Sequence, residues 1–295
     1  MMDQAERLRR MVQEAEQEKE PEARVITVTS GKGGVGKTNL SLNLAIQLSK
    51  LGKRVVVFDA DFGLANIEIM LGARPKYNLA DLMFRGKELK DIICESEMGI
   101  SFISGGSGIQ EMATMSREQV VYLTGKLVEL DTYADIIIVD TGAGISDSVL
   151  EFVMSSSEVF LVATPEPTSI TDAYSLLKAL NKKEEFSREE TVIKMVSNRV
   201  KNEAEGKSLY DKMKIVSDKF LGIPLEYGGC VPMDDIVPKS VIRQKPFSVL
   251  YPDAAPSRAV RQIAERVLEI ESTDTRERWG ISKMFSNLIR NKLKK

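Results

Sequence analysis

The residues of this chain best equipped for chemistry are Gly31, Lys32, Gly33, Gly34, Val35, Gly36, Lys37 and Thr38, the run GKGGVGKT. Glycines at this spacing let the backbone turn tightly and bring N–H groups up to phosphate oxygens at the start of a helix. The run satisfies two fingerprints at once. Gly31, Gly33 and Gly36 spell the G-x-G-x-x-G of a dinucleotide site, with Asp59 further along to meet a ribose. Gly31 to Thr38 also spell G-x-x-x-x-G-K-T, a triphosphate cradle. The shared glycines cannot separate the two, but Lys37 and Thr38 can. A pyrophosphate is held largely by backbone amides, whereas a triphosphate with its metal calls for a lysine on the β/γ oxygens and a hydroxyl on Mg²⁺. Asn39 follows directly at the predicted helix start and joins the candidate nucleotide contacts.

Three carboxylates complete the set. In VVVFDADFGLAN, Asp61 stands just past an apolar run, placed to orient or deprotonate an attacking water, and Asp59 to support the metal or the loop. In DIIIVDTGAG, Asp140 ends four apolar residues, where a carboxylate beside the phosphate loop holds Mg²⁺ through water. Any buried strand can end in Asp, so Asp140 takes its reading from the company it keeps. Phosphoryl transfer needs mainly positioning and charge neutralisation, and lysines, Mg²⁺ and a water-directing carboxylate supply both without histidine. Histidine is in fact absent, which excludes Ser–His and Cys–His catalysis.

These residues sit at the ends of short β-branched runs: 24–30, 54–61, 100–104, 135–141, 158–164 and 192–198. Their apolar residues run on without alternation, as in strands buried on both faces. Helical stretches lie between and after them, at 37–51, 117–131, 168–182, 202–220 and 255–271. The order predicts an α/β fold of the P-loop NTPase type, a mostly parallel sheet with helices on both faces and ligands at the strands' carboxyl ends. Three segments are expected: a charged helical arm over 1–20, an ATPase domain over 21–272 and an amphipathic helix over 273–295.

Lys32 is surplus to an ordinary phosphate loop. With it, K-G-G-x-G-K-[ST] resembles the deviant loop of the MinD/ParA ATPases, where the early lysine reaches across a dimer interface to the partner's ATP. The resemblance implies an ATP-dependent homodimer, ATP and Mg²⁺ as cofactors, and a catalytic set of Lys32, Lys37 and Asp61, with Thr38, Asp59, Asp61 and Asp140 serving the metal. D-A-D-F-G resembles that family's D-x-D-x-G motif, and Thr141-Gly142-Ala143-Gly144, read as flexible, resembles its γ-phosphate-sensing switch. VSNRV and GCVPMDDIV resemble its base-contacting segments, so Asn198, Arg199 and Pro232 are expected near adenine. The absence of an N-K-x-D guanine motif agrees.

The arm's Asp3, Gln4, Ala5, Leu8 and Arg9 resemble the D-Q-A-x-x-L-R start of flagellar MinD-like ATPases of the FlhG/FleN type. The resemblance covers nearly the whole chain. It implies regulation of flagellar number and placement, stimulation of a flagellar signal-recognition-particle-like GTPase (FlhF type), and basal-body or C-ring components as further partners.

Trp279, Ile281, Met284, Phe285, Leu288 and Ile289 fall largely on one side of the tail helix, amid concentrated lysine and arginine. Such a helix suits an anionic membrane surface, or it packs on its own core or in a partner's groove. The membrane reading is favoured, giving a cytoplasmic protein reversibly on the inner face of the cell membrane, polar or at flagellar sites.

The net charge of −2 gives no reason to expect nucleic acid. A cell-division MinD and a ParA-type DNA-partition ATPase are the nearest rivals; the arm is unexpected in the former, and the latter would need a cationic face. A nicotinamide-dependent oxidoreductase leaves Lys37, Thr38, Asp61 and Asp140 without joint purpose. Cys94 and Cys230, far apart in sequence, are expected to be reduced thiols.

Overall fold

The computed structural model describes residues 22–61, 66–106, 117–273 and 279–293. Eight strands form one sheet in the order β3-β4-β2-β5-β1-β6-β7-β8. They are β1 (Arg24–Ser30), β2 (Val55–Ala60), β3 (Ile93–Glu95), β4 (Ser101–Ile103), β5 (Ile136–Ala143), β6 (Glu158–Ala163), β7 (Val192–Val200) and β8 (Leu225–Pro232). All pairs are parallel except β3 with β4. The larger helices are α1 (Lys37–Lys50), α2 (Asn66–Leu71), α3 (Leu79–Phe84), α4 (Arg117–Val128), α5 (Asp147–Met154), α6 (Pro167–Asn181), α7 (Glu203–Leu221), α8 (Ala255–Thr273) and α9 (Ile281–Leu293).

The non-alternating apolar runs serve two faces. Ile26, Val57 and Ile138 pack with α1 and α8 on one side, while their chain neighbours Val25, Val56 and Ile137 pack with α3, α4 and α9 on the other. Farther along the sheet, Leu161, Met195 and Leu225 pack with α5, α6 and α7. Parallel pairing brings the carboxyl ends of β1, β2 and β5 to one edge, where Asp59 pairs in register with Asp140 and Val28 also faces Asp140.

Two expectations change in the structure. Thr141 to Ala143 continue β5 as strand, with a register shift against β1 between Val28 and Ser30. Thr141 is held there by the hydrogen bond it donates to the Val28 carbonyl, so only Gly144, at φ 95°, turns away. The tail changes more. Trp279, Ile281, Met284, Phe285 and Leu288, assigned to a membrane surface, are buried in the chain's own core. Phe285 meets Phe58 and Phe152 edge-on at 5.7 and 6.2 Å, and the Trp279 indole donates to the Ser155 carbonyl at 2.9 Å. The sheet face bearing Phe58 is apolar, and α9 supplies much of its cover. Trp279, Ile281, Met284, Phe285 and Leu288 therefore complete this side of the core. The side chain of Ile289 and the arm residues Asp3, Gln4, Ala5, Leu8 and Arg9 lie outside the described residues.

Candidate nucleotide site

The loop from Gly31 to Gly36 joins β1 to α1, and three of its glycines are required by shape. Gly34 and Gly36 hold φ of 76° and 97°, which side chains resist. A Cβ on Gly31 would overlap the Asp172 carbonyl of α6, and one on Gly36 would lie 2.5 Å from the Asn198 amide nitrogen. Asn198 donates through that nitrogen to the Val35 carbonyl at 2.7 Å, tying the end of β7 to the loop. A register slip between Asn198 and Val200 puts Arg199 at φ 56° with an exposed side chain. Pro232 pairs with Val200 at the end of β8, so Asn198, Arg199 and Pro232 share one edge of the site.

Lys37 is buried at the start of α1. Thr38 donates to Asp140 Oδ2 at 2.6 Å, and Ser41, one turn on, donates to Asp140 Oδ1 at 2.8 Å. Burial pushes the Asp140 carboxyl up to about 6, with the hydrogen bonds from Thr38 and Ser41 opposing the rise. Burial, joined by the charge of facing Asp140, pushes Asp59 up to about 8. Asp61 is raised by burial, against the pull of the Lys37 charge and the hydrogen bond from Asn66 at 3.1 Å. Its backbone N–H donates to Asp59 at 3.1 Å. Gly142 leaves room for it, since a Cβ there would stand 3.2 Å from Asp61 Oδ1.

These carboxyls crowd together at a cost that a divalent cation would offset. Mg²⁺ takes hard oxygens from one or two protein groups and completes its shell with water and phosphate. The Thr38 hydroxyl and the Asp140 carboxylate, already touching, fit that requirement, with Asp59 and Asp61 behind them. Bound there, Mg²⁺ would neutralise charge on the β and γ oxygens. Lys37 can meet the same oxygens, and Asp61 lies near enough to feel the Lys37 charge.

Lys32 does not point into this set. Its ammonium donates to Glu166 at 3.0 Å and to Thr168 at 2.7 Å, both beyond β6. Both ends of the ion pair are exposed, so solvent screens it and the tether is weak. Glu166 itself is held below the usual carboxylate range by Lys32, first through the hydrogen bond. Glu166, Thr168, Ser41 and Asn66 are site residues that motif reading passes over. Ser41 could have been found from its place three residues after Thr38 on the same helix face, and Glu166 from its position just past a buried strand. Asn66 and Thr168 carry no such signal.

The family model for the CobQ/CobB/MinD/ParA nucleotide binding domain matches residues 26–247. Among curated relatives, the antiactivator FleN of Pseudomonas aeruginosa is 41% identical over 243 residues, covering 82% of this chain and 85% of FleN. The flagellum site-determining protein YlxH of Helicobacter pylori is 34% identical over 274 residues, covering 90% and 89%. Among solved structures, the MinC:MinD cell division complex of Aquifex aeolicus aligns with a TM-score of 0.66 at 25% identity, covering 88% of this chain and all of that one. MinD of Pyrococcus horikoshii, solved with Mg-ADP, aligns with a TM-score of 0.65 at 23% identity, covering 84% and 97%.

Proposed function

Because the chain belongs to the CobQ/CobB/MinD/ParA nucleotide-binding family, we propose that this Mg²⁺-dependent ATPase is a dimerising switch that sets flagellar number and placement. The observation that carries the switch is Lys32. It stands on the loop between β1 and α1, is partly exposed, and among the described residues is tethered by its contacts to Glu166 and Thr168. A second copy's ATP can compete for it at little cost. Lys37, Thr38 and Asp140 then hold the nucleotide and metal of their own copy, Asp61 directs the water, and Asn198, Arg199 and Pro232 meet adenine. The flagellar reading is supported by the likeness to FleN and YlxH, with the arm as the element acting on a signal-recognition-particle-like GTPase.

Membrane binding, in this account, is an exchange. No described helix is long and apolar enough to cross a bilayer. Undocking the five buried apolar residues of 279–288 into water would cost about 8–15 kcal/mol. A lipid surface must return that energy, so the tail is membrane-bound only when dimerisation weakens its seat and anionic lipid is present.

The test is to count flagella in cells lacking the chain and complemented with wild type or Lys37→Gln. The proposal expects abnormal number or position, restored by wild type alone. Normal flagellation without the chain, or full rescue by Lys37→Gln, would overturn it.

A further inference from the structure

Beside the base-contacting edge of the nucleotide site, with which it shares Pro232, the far edge of the sheet carries a groove lined mostly by residues that the ATPase reading does not use. β8 is the last strand, and among the described residues no strand lies beside its outer edge. Between that edge and α8 runs a cavity of about 380 Å³, walled by Tyr227, Gly229, Cys230 and Pro232 on one side and by Arg258, Gln262 and Arg266 on the other. Strand and helix run antiparallel along it. The Arg266 guanidinium lies 5.8 Å from the Tyr227 ring centre, and a Cβ on Gly229 would be 2.8 Å from Ile263.

The lining follows α8 from Ala255 to Arg266, over which the helix rises about 16 Å, a length that a short extended segment of chain can span. Arg258, Gln262 and Arg266 form a stripe along one side of α8, one residue every about 6 Å. Side chains on one face of a strand repeat every about 6.6–6.8 Å, so three successive pairs can meet before the two spacings drift apart. Arg258 and Gln262 are exposed and Arg266 half-buried, while Glu203 is the only acid among the lining residues. Arg258 already donates to the Asp253 carbonyl, which aims it without neutralising its charge.

We propose that this groove is a docking site for an extended, acidic segment of a partner protein, which adds a strand to β8 and places alternate carboxylates against Arg258 and Arg266. Main-chain pairing with an open sheet edge supplies affinity, and the side-chain stripe supplies selection.

The test uses the full chain and a labelled peptide of about nine residues alternating glutamate and threonine, read by fluorescence anisotropy. One control peptide replaces glutamate by lysine; another replaces the central threonine by proline, which cannot complete a strand ladder. The expected result is saturable binding of the glutamate peptide, weakened about tenfold or more by proline, by lysine, and by Arg258→Glu or Arg266→Gln in the protein. Both variants should keep wild-type ATP hydrolysis, showing that the fold and the nucleotide site are intact. Absence of binding, or binding unchanged by the arginine substitutions, would overturn the proposal. Equal binding of the proline peptide would overturn strand addition, leaving a simple anion site.

Discussion

Phe285→Ala distinguishes a tail that belongs to the core from one merely resting on it. Phe285 is fully buried on α9 and meets Phe58 and Phe152 edge-on. Truncating such a ring removes its transfer energy and leaves a cavity, at a typical cost of about 3–5 kcal/mol. Chain length makes each kcal/mol worth about 2–4 °C, so Tm should fall by about 6–20 °C. The chain's single tryptophan, Trp279, stands two residues before the same helix and is buried with it. Its emission therefore reads docking directly, while far-UV circular dichroism follows the whole fold. Urea unfolding by both signals should show a lower midpoint in the variant. If α9 detaches first, the tryptophan transition will precede the dichroism. A loss within about 0.5 kcal/mol, of the size surface changes give, or solvent-like Trp279 emission in the native wild type, would refute the docking argument.

Three further perturbations test other parts of the structure. Glu158 is buried with Arg24 at 2.8 Å and Lys194 at 2.7 Å; burial alone would raise its carboxyl, but the two cations outweigh it and hold it below the usual range. Its stabilising contribution is thus present above the unfolded carboxyl's pKa and lost as pH falls through the lower folded value. Glu158→Gln should cost about 3–5 kcal/mol at neutral pH and flatten the acid limb of a stability profile; an unchanged melt would contradict the ion network. Gly31→Ala should displace the phosphate loop from Asp172 and weaken ATP binding at least about tenfold, read by titration calorimetry. Ser41→Ala removes one of the two hydroxyl donors to Asp140 and should raise the Mg²⁺ concentration needed for half-maximal hydrolysis; an unchanged requirement would remove Ser41 from the metal's supporting shell.

The centre of the molecule was legible because its motifs fall where strand, loop and helix chemistry coincide. GKGGVGKT had to be a loop between a buried strand and a helix, and Asp59 and Asp140 had to stand near the carboxyl ends of neighbouring strands. β8 escaped notice because Gly228 and Gly229 dilute its strand character. Gly229 is there at φ 123° so that α8 can approach, a tertiary reason invisible in the run LEYGGCVP. β3 is three residues paired at an edge, too short to show a period. For the tail, amphipathic spacing told which residues need cover but not what covers them. Phe58 and Phe152, distant in sequence, decide that. Lys32 shows the reverse case. Its motif suggests an intermolecular role, while the single chain shows the Glu166 and Thr168 contacts that the role must displace.

Sedimentation velocity of the Asp61→Ala protein with Mg-ATP and with Mg-ADP, alongside Lys32→Ala in the same background, tests the switch most directly. The account predicts a dimer for Asp61→Ala with ATP, a monomer with ADP, and a monomer in both nucleotides once Lys32 is removed. A chain that stays monomeric with ATP, or that dimerises equally without Lys32, would contradict it.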